Sequence, residues 1–353
     1  MSQFFSGIGV ILSLELRQRV RGVAWYVLIG VFVLLIAVVT LLLTFALNAF
    51  GMGRDSSSGV GSGIYSTIIY FVLLLGTLVA PALSGNAING DRDAGTLATT
   101  QITLITTWQL ILGKFLAAWI TALAFLVAAL PFVAYSAFVG GLSAVTVLVS
   151  ALVLALELGV VAAIGVGLSG VITRSLFSIV VTYLVVAMLS VGTLIAFALG
   201  GISVQTTVTN TYVAGSDYDS NGTPTSCQAP IVTESTQPRF DLFWGVLVAN
   251  PYVLLADAVP TTYDTNGNAV DLFGSVKYIV RQAQIAPSDT SFNECEGPGY
   301  TPAPSAEEVI GSTVPGWFVG LFIHLVLAGG ALYWAWTRTN TPAGQLPKGS
   351  RIA

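Results

Sequence analysis

Ile88-Asn89-Gly90-Asp91-Arg92-Asp93-Ala94-Gly95-Thr96-Leu97, with Gly113-Lys114-Phe115 after it, is a polar island in a chain that is only 8% charged. Long apolar runs flank it, over residues 63–85 and 112–138. About 20 apolar residues cross the hydrocarbon core as a helix, so the island reads as a loop joining two membrane spans. The whole composition agrees. The chain has 353 residues, is 54% hydrophobic and has a mean hydropathy of +0.83, which leaves too little polar surface for a water-soluble globule. A net charge of −4 argues against a nucleic-acid partner, which needs a basic face.

The expected fold class is an all-α polytopic membrane protein. Six spans are predicted, over 23–49, 63–85, 112–138, 144–171, 175–200 and 316–338. The first apolar run is longer than the h-region of a signal peptide, so it is expected to stay as a span. Residues 1–22 read as an interfacial helix, with Ile8, Ile11, Leu12 and Leu16 at helical spacing beside Glu15, Arg17, Arg19 and Arg21. With the N-terminus inside, nine of the thirteen Lys and Arg residues fall on inner segments: Arg17, Arg19, Arg21, Arg92, Lys114, Arg174, Arg338, Lys348 and Arg351. Arg54, Arg239, Lys277 and Arg281 fall outside. The positive-inside bias therefore places both termini and the 339–353 tail in the cytoplasm, and the localisation expected is a bacterial cytoplasmic membrane.

Residues 201–315 form the one sizeable hydrophilic segment, expected outside the cell. It carries twelve acids against three bases and is rich in turn formers, so short strands and irregular structure are expected. Its cysteines, Cys227 and Cys295, are the only two in the chain, which suggests a disulfide in an oxidising compartment. Within it, 242–259 is apolar but interrupted by Asn250-Pro251. A proline there breaks a spanning helix, so a re-entrant piece is expected; the rival reading is a seventh span.

No phosphate-binding GxxxxGK[ST] loop is present. With one histidine and no closely spaced cysteines, no metal site is expected. Gly167-Leu168-Ser169-Gly170 with His324 resembles the serine–histidine pair of rhomboid-type intramembrane proteases. The span assignment opposes that reading, because Ser169 falls at an inner end and His324 near an outer one, so the two cannot touch. Small residues there read as helix-packing positions. Glu157 and His324 are ionisable groups inside spans; each is expected to face a bundle interior, either as a polar lining or in a structural hydrogen bond.

Asp91 and Asp93, Gly95-Thr96-Leu97 and Gly113-Lys114, set between a second and a third span, resemble the permease subunits of ABC-2 type exporters. That family commonly shows an acidic residue, then Gly-Thr-Leu, then Gly-Lys at this place, with Glu where this chain has Asp. The resemblance implies that residues 88–110 form a coupling helix docking on a separate ABC ATPase subunit. It implies roles there for Asp91, Arg92, Asp93, Gly95, Thr96, Leu97, Trp108 and Lys114. The acids are expected at a helix N-terminus, with Leu97, Ile102, Leu104 and Ile105 as its apolar face. It further implies a second permease copy or paralogue in a homodimer or heterodimer, membrane lipid as surroundings, no cofactor in this chain, and ATP with Mg on the partner. The cargo implied is hydrophobic, amphiphilic or lipid-linked. The alternative is a non-transporting scaffold or sensor whose acidic segment binds a partner.

Overall fold

The computed structural model describes residues 2–49, 57–97, 105–219, 224–296 and 304–340. Six helices among them are long and apolar enough to cross a membrane. An N-terminal helix, α1 (Ser2–Arg21), precedes α2 (Val23–Ala49), α3 (Ser57–Ser84), the short α4 (Asn89–Asp93), α5 (Thr107–Val139) and α6 (Ala144–Val171). The fifth span is α7 (Ser175–Ala187), a π-helical turn (Met188–Gly192) and α8 (Thr193–Ser203). The shortest span has 23 residues, which at 1.5 Å each reaches about 35 Å, enough for the hydrocarbon core. The third begins five residues before its predicted start because Thr106 and Gln109 form a capping box. The fourth begins where Ser143 caps it, its hydroxyl accepting the Thr146 N–H.

The core lies between α3, α5 and α6, where Tyr65, Ile68, Ile69, Phe125, Leu154 and Leu158 are buried with Phe32 and Ile36 of α2. Close approach rests on glycine. A Cβ at Gly167 would stand 2.6 Å from the Ala331 Cβ, and one at Gly170 the same distance from the Ala335 Cβ, so α6 packs directly on the last span. The fifth span instead shows Leu176, Phe177, Val180, Leu184 and Leu199 on the outside, side chains suited to lipid or to another membrane chain.

Between the fifth and sixth spans, strands β1 (Gln205–Val213), β2 (Gly215–Tyr218), β3 (Pro224–Cys227), β4 (Ile231–Pro238) and β5 (Thr290–Asn293) form two small sheets. The larger has the order β4-β1-β5, with β1 antiparallel to β4 and parallel to β5. The Cys227–Cys295 disulfide ties β3 to the turn after β5. Helices α9 (Pro251–Ala258), α10 (Leu272–Gln282) and α11 (Ala306–Ser312) precede the last span, α12 (Trp317–Thr339). The apolar 242–259 stretch is a 3-10 turn (Trp244–Ala249), a bend at Asn250 and α9, whose eight residues extend only about 12 Å. It cannot be a seventh span. Residues 341–353, including Lys348 and Arg351, lie outside the described residues, as does Arg54.

Lys277 on α10 is buried and donates to the Val259 carbonyl at 2.6 Å. Burial lowers its ammonium to about 8, with Arg281 acting the same way against the opposing pull of Asp257 and Asp271. The folded chain therefore gives up this proton before the unfolded chain does. Between pH 8 and 10.5 the unfolded state binds more protons, so this lysine adds up to about 3 kcal/mol of stability as pH rises through that window. The Lys277→Met chain is expected to lose this rise when melting is compared at pH 7.5 and 9.5 in detergent.

Candidate functional site

The charged island is held against the spans from several sides. The Ser169 hydroxyl, near the end of α6, accepts the Ile88 N–H at 2.9 Å and the Asn89 N–H at 3.1 Å, so a neighbouring span caps α4. The buried Asn89 amide donates to the Ile172 carbonyl at 2.6 Å. Arg92 donates to Asn89 Oδ1 at 2.7 Å and to the Gly170 carbonyl at 3.4 Å. Ser169 and His324 thus have separate partners, and no serine–histidine pair exists.

Within the expected coupling helix at 88–110, the first helical piece stops at Asp93, the chain turns at Ala94-Gly95, Thr96 and Leu97 are helical again, and 98–104 lie outside the described residues. Gly95 has φ +71°, a left-handed conformation that costs other residues roughly 1 kcal/mol or more. Asp93 closes the helix where a helix N-terminus was expected. Asp93, Gly95 and Thr96 are exposed, Leu97 is half-buried, and Thr96 Oγ1 donates to the Asp91 carbonyl at 3.2 Å. Ile102 and Leu104 lie outside the described residues.

Lys114 does not face outward. It is 2% exposed, with Nζ on Glu15 Oε1 of α1 and 2.8 Å from Asp91 Oδ2 of α4. One cation on the third span thus holds two acids from two other elements. Gly113 lets α1 come this near, since a Cβ there would meet the Ile11 side chain at 2.7 Å. Gln109 adds a bond from Nε2 to the Phe4 carbonyl at 3.1 Å. Trp108 stacks on Trp336 of the last span, with centroids 5.5 Å apart, an aromatic pair of the kind found at membrane interfaces.

A second polar cluster sits inside the bundle. Glu157 and His324, each about 1% exposed, are partners: Nδ1 is 2.9 Å from both carboxylate oxygens. The other ring nitrogen, Nε2, lies 2.9 Å from the Ala249 carbonyl. Next to Ala249, Asn250 accepts the Tyr252 and Val253 N–H groups and donates to the Ser190 carbonyl at 2.6 Å and to Thr193 Oγ1 at 2.9 Å. Ser190 lies in the π-helical turn of the fifth span, a geometry that often marks functional positions.

Sequence reasoning placed Lys114, Asp91 and Glu157 in polar settings without their partners. It missed Glu15, Asn89 and Asn250 as cluster members. The one available signal for Glu15 was a lone acid on the same helical face as Ile8 and Ile11.

A family model described as ABC-2 family transporter protein matches residues 9–242 of this chain. The match covers more than half of its length and takes in most of α1, the first five spans and the island. This chain belongs to the ABC-2 transporter family. A search of curated proteins finds no match. As an ABC-2 permease the chain is a multi-pass membrane component of an ABC transporter.

Proposed function

We propose that this permease exports a hydrophobic, amphiphilic or lipid-linked cargo across a bacterial cytoplasmic membrane, driven by a separate ATPase subunit that docks on α1 and the 89–97 segment. The observation that carries this reading is the Lys114 node. It binds α1 and α4 to the third span with buried charge, while Asp93, Gly95 and Thr96 beside it stay exposed. A docked subunit that moves α4 must therefore move a span. Both termini lie on the ATPase side in this reading, and a second copy or paralogue completes the pathway. ATP and Mg belong to the partner, since this chain has no phosphate loop.

The test reconstitutes the permease with a phosphate-loop ATPase encoded beside it. Arg92→Glu removes the bonds to Asn89 and Gly170, and Gly95→Pro demands a φ of about −65° where the chain has +71°. Each is expected to leave membrane insertion intact and lower cargo-dependent ATP hydrolysis about tenfold or more. Full activity in both variants, or no co-purifying ATPase with the parent, would sink the reading.

A further inference from the structure

The break at Asn250-Pro251 leaves the Ala249 carbonyl without a backbone donor. Pro251 has no N–H, and the next two N–H groups are taken by the Asn250 side chain. The Leu254 N–H goes to the Asn250 carbonyl. The Ala249 carbonyl is therefore free of helical partners at a place packed among spans, where an unmet carbonyl is costly. His324 supplies the donor.

This bond decides the protonation pattern. A carbonyl only accepts, so Nε2 carries a hydrogen. Nδ1 then faces a carboxyl group with one proton to share between them. Held by either partner, that proton leaves the pair with no net charge, the state a low-dielectric bundle favours. The pair is thus a neutral, saturated donor unit whose free end points at the bend of the hairpin. Asn250 adds a second tie, to the π-helical turn of the fifth span.

We infer that Glu157 and His324 are the latch of an outer gate: they hold the Ala249-Asn250 bend between the fourth, fifth and sixth spans, and cargo leaves when the bend parts from His324. The inference rests on the exporter reading for its purpose, though not for its test. His324 acts here as a positioning residue, by fixing a backbone carbonyl. Glu157 acts through His324, orienting the ring and carrying or accepting the shared proton.

The test uses thiol labelling of the full chain in membranes. Its two native cysteines are joined, so an introduced cysteine is the free thiol. Ala249→Cys reports on the bend and Ala129→Cys on a buried position of the third span. A membrane-impermeant maleimide is expected to label position 249 slowly in the parent and about tenfold faster or more with His324→Ala, the scale expected for losing a buried hydrogen bond. His324→Gln, whose amide N–H can donate to the same carbonyl, is expected to restore the slow rate. Labelling at position 129 is expected to stay at the parent rate throughout. An unchanged rate at position 249, or an equal rise at position 129, would overturn the latch. Should the alanine variant fail to fold, His324→Phe replaces it; that change keeps a ring of similar shape and removes the donor to the Ala249 carbonyl, and a parent-like rate there also overturns the latch. No ATPase or cargo enters the assay, so failure of the exporter reading leaves its outcome readable.

Discussion

The Lys114→Met chain is expected to lose about 3 kcal/mol of stability and nearly all ATP-dependent export. Methionine keeps the length and apolar stem of lysine, so packing against α1 is little altered. What goes is the only cation bonded to both Glu15 and Asp91 among the described residues. Glu15 is largely buried, and its remaining cation, Arg19, is 3.9 Å away. The figure is at the low end for a broken buried pair because Asp91 still reaches water. A triple variant, Glu15→Gln with Asp91→Asn and Lys114→Met, separates the two losses. Removing all three charges together takes away the uncompensated acids, so melting in detergent is expected to return close to the parent. Export is expected to stay low, because α1 and α4 are no longer tied to the third span by charge. A triple variant that exports at the parent rate would show that the node serves folding alone.

The Asp257→Ala chain is expected to lose about 3–5 kcal/mol, with melting followed in detergent. One carboxylate oxygen accepts the Arg281 Nε at 2.8 Å. The other accepts the Gly316 and Trp317 N–H groups at 2.7 and 2.9 Å, where the last span begins. The negative charge thus neutralises a buried guanidinium and caps the positive end of a helix dipole. Alanine leaves Arg281 buried with only the Thr313 oxygens as partners and frees two N–H groups. Asp257→Asn can still accept with one atom but puts an amide where the second acceptor stood, so about half of the loss is expected. A loss below 1 kcal/mol for alanine would mean that water takes over these bonds.

The two sites were legible to different degrees, for physical reasons. Spans were readable because length and apolarity are local properties; the third span starts earlier than expected where Thr106 caps it, and the fourth starts where expected, at the Ser143 cap. The hairpin was readable as a break because Pro251 acts on its own backbone. The pairing of Glu157 with His324 was not, because it depends on α6 and α12 being neighbours, which Gly167 and Gly170 permit but do not announce. Lys114 misled for a related reason: a lysine at the start of a span usually sits at the interface, and only the approach of α1 over Gly113 buries it. Lys277 and Arg281 count among the basic residues on the outer side of the membrane. The structure buries both, so two of the four charges counted against the inner bias are structural.

The fourth span touches both sites. Ser169 caps α4, and Glu157, twelve residues earlier in the same helix, holds His324. That stretch is continuous α-helix without proline, about 18 Å long. It is a connecting rod. A push that tilts or lifts the capped end displaces the carboxylate at the far end by a similar amount unless the helix bends. Signal and release then need no relay of side chains, only the stiffness of three turns of backbone.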